Sequence, residues 1–297
     1  MNDPVHSRPS AVVVGCGRVG SSLALYLSRA GYRLIATVSH SAKSAEAAAS
    51  RCGAERHGTR PWRYTPEAHI VLITTPDAQI EPACRQIADR GGFAPDTAVL
   101  HCSGALPSTV LAAARGKGAA IGSLHPLQSF ATADPEADPF SGIIFAVEGD
   151  PPARQAASSI ADALGAKSLP LKTEAKALYH AAAVVASNYL VAIADMALGL
   201  LASAGIEPSE GMTVLGPLIR GTLGNIERLG APASLTGPIA RGDRETIRRH
   251  QAEIQRLRPE LAGLYAALGR HTVDVALRGG HIAPDTAARL SALFRDT

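Results

Sequence analysis

The sequence predicts an α/β domain followed by an all-helical domain. In the first half, short apolar runs rich in β-branched residues alternate with helical patterns, which is typical of a mostly parallel sheet covered by helices on both faces. From Glu174 onward the strand patterns vanish and only helical periodicity remains. The chain has 297 residues, of which 46% are hydrophobic and 19% are charged, so it can form two packed domains. We expect these domains to cover residues 1–172 and 173–297.

The first element is a buried strand that runs into a glycine turn. Residues 11–20 read AVVVGCGRVG, and Gly15, Gly17 and Gly20 complete the pattern G-x-G-x-x-G. A helical pattern and a second strand pattern, YRLIATVS, follow directly. In such a βαβ unit the glycines allow a tight turn, a close approach of the backbone to a pyrophosphate, and close packing of the helix on the strand. This context predicts a dinucleotide-binding domain of the Rossmann type, whereas a purely structural glycine turn is the alternative.

The end of the second strand bears on which dinucleotide is bound. Enzymes that use NAD commonly have an Asp or Glu there, which accepts hydrogen bonds from the ribose hydroxyls. This chain has no acidic residue there before Glu46. Its residues are instead Ser39, His40, Ser41 and Lys43. Hydroxyls and a cation favour a 2′-phosphate, so we expect NADP rather than NAD, with Arg18 as a second positive charge; alternatively, Lys43 is only a solvated helix residue.

Further strand ends complete the predicted cofactor crevice. Buried strand patterns cover residues 69–77, 97–106, 119–130, 142–150 and 167–171, with helical patterns between the earlier ones. Ligands of such sheets bind beyond the carboxyl ends of the strands. In addition to the residues above, those expected to contact the cofactor are Val19, Thr74, Thr75 and Pro76.

Two strand ends carry candidate catalytic residues. Ser103 lies in the segment HCSGAL and His125 in HPLQSF. A histidine exchanges protons readily near neutral pH, and Pro126 biases His125 toward an extended conformation that gives its ring a defined direction. We expect both residues where a nicotinamide and a substrate meet; alternatively, His125 only closes a turn. His101, inside the strand, is expected to be a packed residue.

The second half is predicted to be helical, and its first helix is unusually apolar. The helical patterns cover residues 174–204, 208–230, 243–269, 270–279 and 284–295. Eighteen residues between Lys176 and Asp195 carry no formal charge, which is long enough for a membrane span. Polar residues within the stretch and the lack of an aromatic belt favour a helix buried on most faces of a soluble domain. Such a helix needs partners on several faces, so we expect a homodimer formed through this domain and no membrane contact.

Polar residues of this helix form a predicted substrate-side wall. At about 100° per residue, Lys176, His180 and Ser187 fall on one stripe, with Asn188 at its margin. A polar stripe on an apolar helix must meet a ligand, water or another polar surface. We expect Lys176 or His180 to take part in catalysis, and Ser187 and Asn188 to contact the substrate. Alternatively, the stripe consists of satisfied core polar groups.

One more substrate contact is predicted in the turn SLTGPIARGD. Its Arg241 offers several donors to a substrate carboxylate, and Asp243 is expected to cap the helix that follows. Alternatively, Arg241 forms a surface salt bridge or anchors the loop.

The composition argues against other classes of function. The net charge is +3, without Lys/Arg blocks or aromatic residues interleaved with basic ones, so nucleic-acid binding is not expected. The four cysteines show no C-x-x-C spacing, so we expect neither a metal site nor a disulfide framework. The N-terminal residues are polar and lack the apolar core of a signal peptide, so a cytoplasmic protein with a small-molecule substrate is expected.

Several motifs together resemble one family of Rossmann-like oxidoreductases with a helical C-terminal domain originally of unknown function. These motifs are VVVGCGRVG, HCSGAL, HPLQSF, KALYHAAAVVASNYL and LTGPIARGD, and they span nearly the whole chain. The resemblance implies a nicotinamide-dinucleotide domain followed by an all-α domain similar to those of pyrroline-5-carboxylate reductase, 6-phosphogluconate dehydrogenase and hydroxyisobutyrate dehydrogenase. Some members resemble an alternative class of ketopantoate reductase, which implies reduction of a 2-oxo acid.

Two more distant similarities concern single residues. Ser103 and His125 resemble the serine and the His-Pro histidine that contact substrate in prephenate dehydrogenases, although the rest of that His-Pro pattern is absent and the aromatising decarboxylation is not implied. Lys176 and His180 resemble the Lys-x-x-x-Asn of hydroxyisobutyrate dehydrogenase and ketopantoate reductases, with histidine in place of asparagine.

The expected function is therefore the NADP-dependent reduction of a small carbonyl or imine compound that carries a carboxylate. Lys176, His125 or His180 would protonate the product, and Arg241 or Asn188 would hold the substrate tail. Two alternatives are a dinucleotide-binding sensor without catalysis and a hydroxy-acid dehydrogenase that works in the oxidative direction.

Overall fold

The computed structural model describes residues 9–130 and 138–295. The chain divides into two compact units, of which the first ends at Ser187 and the second begins at Asn188. The first unit is built on a β-sheet with flanking helices and the second is helical. The predicted fold class is confirmed.

One sheet of eight strands organises the described part of the first unit. The strands are β1 Ser10–Val14, β2 Arg33–Val38, β3 Arg56–Gly58, β4 Ile70–Ile73, β5 Ala98–His101, β6 Ala120–Pro126, β7 Ile144–Gly149 and β8 Lys167–Pro170. Their order is β3-β2-β1-β4-β5-β6-β7-β8, and all neighbours are parallel except β6 and β7. The chain moves outward from β1 in one direction and from β4 in the other. Ligands bind such sheets at this reversal, beyond the carboxyl ends of the strands.

Helices cover both faces of the sheet because successive strand residues point to opposite sides. The α-helices between the strands are α1 Arg18–Arg29, α2 Ala42–Cys52, α3 Asp77–Asp89, α4 Ala112–Arg115 and α5 Pro151–Ala163. Val13 and Leu72 pack on one face with α1 and α5, whereas Val12 and Val71 pack on the other face with α3. Each of these four side chains is fully buried and contributes about 2 kcal/mol of hydrophobic stabilisation.

Strand β5 is shorter than predicted because the chain leaves the sheet in a turn around Ser103. The Ser103 N–H donates to Nδ1 of His101, and the Ser103 hydroxyl accepts from the N–H groups of Ala105 and Leu106. These local bonds replace sheet pairing, so β5 ends at His101. His101 is buried, as expected for a packed residue.

Five α-helices follow the sheet among the described residues, and one predicted helix is wrong. They are α6 Lys176–Ser203, α7 Gly211–Leu229, α8 Arg244–Leu257, α9 Ala262–Arg278 and α10 Pro284–Ala292. The helix predicted over 243–269 is interrupted after Leu257 and the next α-helix begins at Ala262, not at residue 270. The cause is Pro259, because a residue that precedes a proline is disfavoured in the helical conformation. Helices α8, α9 and α10 share a small core of Ile247, Ala266, Val273, Leu290 and Phe294.

Helix α6 is largely exposed in the single chain. The expectation that this helix is buried on most faces is therefore wrong for one chain by itself. The segment Thr173–Ser203 is long and apolar enough to cross a membrane, but one helix of this kind is weak evidence for a span. Only 6% of its most apolar stretch is buried. Leu178 and Val191, for example, are 79% and 69% exposed. An apolar pattern shows that a helix can be buried, but packing decides what covers it.

Candidate active site

The glycine turn between β1 and α1 has the shape of a phosphate cradle. Gly15 has a φ of +111°, and a Cβ there would lie 2.7 Å from the backbone of Thr74 and Thr75, so this position requires glycine. A Cβ at Gly20 would collide with the carbonyl oxygen of Gly15, and its absence lets α1 pack directly on the turn. At Gly17 a Cβ would meet nothing within 4 Å. The backbone there borders open space at a helix N-terminus, where phosphates bind.

A cleft of about 1130 Å³ lies in front of this turn. The residues of the predicted site that line it are Gly15, Gly17, Arg18, Val19, Ser39, His40, Thr74, Thr75, Pro76 and Ser103. The lining also includes residues that the sequence patterns did not indicate, among them Ser44, Thr59, Asp77 and Phe130. The glycine turn, the end of β2 and the end of β5 therefore meet in one cleft.

Three predicted cofactor residues lie outside this lining. Gly20 is buried beneath the turn. The Ser41 hydroxyl accepts a hydrogen bond from the N–H of Ser44 at 3.4 Å and so caps α2. Lys43 is exposed in the first turn of α2. Ser44, in the first turn of α2, lines the cleft instead.

Two neighbouring threonines have different roles in the cleft. The Thr74 hydroxyl donates to the carbonyl oxygen of Gly15 at 2.6 Å and so holds the glycine turn. The Thr75 hydroxyl is buried and has no hydrogen-bond partner among the residues that the structure describes. A buried hydroxyl without a partner is costly unless a ligand satisfies it. The open backbone at Gly17 and the free hydroxyl of Thr75 therefore fit a bound dinucleotide.

Lys176, in the first turn of α6, is almost completely buried at the ends of β5 and β6. Only 1% of the residue is exposed. Its Nζ donates to the carbonyl oxygen of Ser103 at 3.2 Å and to the hydroxyl of Ser123 at 2.8 Å. Burial lowers the pKa of Lys176, while the charge of Glu148 opposes that shift. The structure thus joins Lys176 to Ser103, which lines the cleft.

Glu148 of β7 is the buried anion of the same cluster. Its carboxylate accepts from the Ser108 hydroxyl at 2.6 Å, the Thr173 hydroxyl at 2.9 Å and the Ser123 hydroxyl at 3.2 Å. Burial tends to raise the pKa of Glu148, but the hydrogen bonds from Ser108 and Thr173 and the charge of Lys176 bring it below its usual value. Ser123 bridges the anion and the cation.

The Ser103 hydroxyl has a fixed direction at the end of the cleft. It donates to Oδ2 of Asp77 at 2.8 Å, and Asp77 also lines the cleft. Asp77 begins α3, where the helix dipole favours a negative charge. Ser103 therefore presents an oriented hydroxyl next to the space in front of the glycine turn.

Two histidines and a tyrosine lie beside the Ser103 turn. Nδ1 of His125 is 3.0 Å from the Tyr179 hydroxyl, and the two rings pack edge to face. The His180 ring centroid is 6.0 Å from that of His125. A Cβ at Gly104 would lie 2.5 Å from the His180 ring and 2.8 Å from the His125 ring, so glycine lets both imidazoles approach. Burial, with the charges of Lys176 and His180, lowers the pKa of His125 to about 4.

The other predicted substrate contacts occupy exposed positions. Ser187 and Asn188 are exposed on α6, although the helical angle puts Ser187 on the same stripe as Lys176. Arg241 is exposed in the turn before α8. Asp243 caps α8, as predicted, by accepting from the Thr246 N–H at 3.0 Å.

The remaining titratable groups do not suggest other chemistry. Among residues 9–130 and 138–295, no group of three or more His, Cys, Asp or Glu side chains is placed to hold a metal ion. The cysteines Cys16, Cys52, Cys84 and Cys102 are free thiols. Burial raises the pKa of Cys16 and Cys84 to about 11, which makes them poor nucleophiles.

The sheet topology and the glycine cradle define a Rossmann-like protein with a dinucleotide-type cleft. Residues 2–126 match the Rossmann-like domain family, and residues 143–272 match a domain of unknown function, DUF2520. The two matches cover successive parts of the chain, so the resemblance to Rossmann-like proteins with a helical C-terminal domain is confirmed. No curated protein sequence matches the chain.

Several solved structures share the fold. A "putative NADP oxidoreductase" from Bacteroides fragilis is 24% identical, with a TM-score of 0.74 over 89% of this chain and 98% of that one. A protein from Thermotoga maritima is 26% identical, with a TM-score of 0.69 over 90% of this chain and 98% of that one. Pyrroline-5-carboxylate reductase from Coxiella burnetii is 14% identical, with a TM-score of 0.58 over 95% and 98%.

Proposed function

We propose that this chain is an NAD(P)-dependent oxidoreductase that reduces a small carbonyl or imine compound. The observation that carries the proposal is that the open glycine cradle and the oriented Ser103 hydroxyl line one cleft. A dinucleotide bound there supplies a hydride to an electrophilic carbon. The names of the Bacteroides and Coxiella proteins support the same class of reaction.

The preferred dinucleotide in this proposal is NADP. Ser39, His40 and Ser44 line the cleft at the end of β2 and offer donors to a 2′-phosphate. Asp77, at the other end, is the one acidic residue among the described residues that line the cleft. An acid that would accept hydrogen bonds from the ribose and repel a phosphate is therefore missing from this part of the lining. Arg18 and Lys43 add exposed positive charge.

The proposed substrate is a small compound with a carboxylate, such as a 2-oxo acid similar to ketopantoate. The buried Lys176 charge behind the Ser103 turn would stabilise negative charge that develops on the substrate oxygen or nitrogen. His125 and His180 lie beside this position. Ser187, Asn188 and Arg241 stay predicted contacts for the rest of the substrate.

A calorimetric titration with NADPH and, separately, NADH tests this proposal. We expect NADPH to bind more tightly, because the phosphate gains the donors at the end of β2. The preferred dinucleotide is then used in a screen of 2-oxo acids and cyclic imines, with its absorbance as the signal. A preference for NADH would remove the phosphate argument but not the oxidoreductase. Binding of neither dinucleotide would contradict the proposed function.

The same screen, run with the oxidised dinucleotide and hydroxy acids, tests the direction of the reaction. Turnover of hydroxy acids alone would replace the reductase by a dehydrogenase. Tight binding of the dinucleotide without turnover in either direction would favour a sensor.

A further inference from the structure

The groups around the Ser103 turn differ in whether they can release a proton to a substrate. Lys176 donates two of its three ammonium protons to Ser103 and Ser123, and only 1% of the residue is exposed. The Ser103 hydroxyl proton is donated to Asp77. His125 is neutral at pH 7 because its pKa is about 4, so it does not carry the extra proton of an acid. These three predicted residues are therefore poor proton donors in this geometry.

His180 and Tyr179 differ from those residues and from each other. His180 makes no hydrogen bond to any residue that the structure describes, so it has no hydrogen-bond partner that could replace a lost proton. Tyr179 is half-buried and its hydroxyl is held 3.0 Å from Nδ1 of His125. Burial raises the pKa of Tyr179, so the phenol stays protonated at pH 7. Tyr179 therefore carries a proton and has a partner that can replace it.

We propose that the Tyr179 hydroxyl donates the proton to the substrate oxygen or nitrogen, and that His125 returns a proton to Tyr179 through Nδ1. This inference rests on the proposed reductase function. The substrate carbon gains the hydride, and the substrate oxygen or nitrogen gains the phenol proton. The Nδ1 proton of His125 then moves to the phenolate while Nε2 takes a proton from water. The net change is one hydride and one solvent proton.

The surrounding charges support these roles. Burial is the main cause of the lowered pKa of His125. The charges of Lys176 and His180 lower this pKa further, and the charge of Asp77 opposes them only in part. The imidazole therefore stays neutral and can keep a proton on Nδ1 that it donates to the tyrosine oxygen. Lys176 acts on the reaction through Ser103 and His125 and is a positioning residue in this scheme.

The chain contains a matched control for this pair. Tyr265 lies 2.9 Å from Nδ1 of His250, also edge to face, and burial raises its pKa as well. Tyr265 and His250 belong to the second unit and take no part in the proposed chemistry. Tyr179→Phe and Tyr265→Phe therefore remove the same hydrogen bond from two similar pairs.

The experiment combines binding, turnover and ionisation. NADPH affinity, measured by calorimetry, should be unchanged in both variants. With glyoxylate and 1-pyrroline as probes, Tyr179→Phe should lower kcat about 100-fold, the scale of general acid catalysis, with little change in KM. Tyr265→Phe should match the wild type. An alkaline ultraviolet titration, which needs no substrate, should show that His125→Asn shifts the ionisation of Tyr179 and not that of Tyr265.

Each outcome decides the proposal. Unchanged kcat in Tyr179→Phe, or an ionisation of Tyr179 that does not respond to His125→Asn, would overturn it. If the wild type does not bind NADPH, the proposed function fails, while the alkaline titration still decides whether Tyr179 and His125 are coupled. If NADPH binds but neither probe is reduced, coupling in the alkaline titration supports the proposal and its absence overturns it.

Discussion

Lys176 was predicted to be catalytic, but its contacts indicate a structural role. Its ammonium is buried because Ser103, Ser123 and, through Ser123, Glu148 compensate its charge. An uncompensated buried charge costs several kcal/mol, so these contacts determine where the first turn of α6 can lie. Lys176 thereby connects that turn to the ends of β5 and β6.

Replacing Lys176 by Met should lower the free energy of unfolding by about 3–5 kcal/mol, because Glu148 is left buried without its cation. Urea denaturation measures this change. Lys172→Met, in an exposed position shortly before α6, is the matched control and should change stability by less than about 0.5 kcal/mol. Equal stability of the two variants would show that the Lys176 ammonium does not compensate the buried charge of Glu148.

The glycine turn is the element in which local sequence and local structure agree most closely. Gly15, Gly17 and Gly20 each have a separate geometric task in the connection from β1 to α1, and each task depends on the backbone or on close neighbours. The pattern of the cradle lies in a short contiguous stretch of chain, and Thr74 at the end of β4 holds it in place. Its neighbour, the end of β5, follows instead from the side chain of Ser103.

The turn predicts opposite effects for two alanine substitutions. Gly17→Ala should leave stability unchanged, because φ is −78° and a Cβ meets nothing within 4 Å, but it should weaken NADPH binding, because the methyl group occupies the phosphate space. Gly15→Ala should cost about 1–3 kcal/mol of stability, because its φ of +111° strains any other residue. Thermal unfolding with and without NADPH separates the effects. Equal NADPH affinity in Gly17→Ala and the wild type would place the phosphates elsewhere.

At the scale of the whole molecule, exposed apolar side chains concentrate on two helices. In α6 and α7 the exposed large hydrophobic residues are Leu178, Val185, Tyr189, Leu190, Val191, Ile193, Met212, Val214, Leu218, Leu223, Ile226 and Leu229. Surfaces of this kind mark protein or membrane contacts. We propose that a second copy of the chain covers them in a cytoplasmic homodimer, and that no membrane or nucleic acid is involved.

Sedimentation in detergent-free buffer tests the dimer. The wild type should sediment as a dimer, and Val191→Glu should sediment as a monomer, because a charge in the buried contact is costly. Leu264→Glu, on the exposed side of α9, is the control and should remain dimeric. Recovery of the wild type only in the membrane fraction would instead assign the α6 surface to lipid.

Much of the fold could be predicted from the strand and helix periods of the sequence, but only part of the candidate active site could be predicted in this way. The β1 strand, the glycine turn and α1 were predictable because their interactions are local. The break before Pro259 was also a local signal, although helical periodicity on both sides concealed it. Asp77, Glu148 and Tyr179 were missed because their partners are distant in the sequence. Ser103 follows Asp77 by 26 residues, Thr173 follows Glu148 by 25, and Tyr179 follows His125 by 54.

The sequence by itself determined the fold class and the position of the glycine cradle, because strand and helix periods and the G-x-G-x-x-G pattern are properties of neighbouring residues. Only the tertiary structure decided which polar residues of α6 are buried. Lys176 and Ser187 share a helical stripe, yet Lys176 is buried and Ser187 is exposed. The helical angle fixes the direction of a side chain, whereas burial depends on what packs against it, and the first turn of α6 meets the ends of β5 and β6.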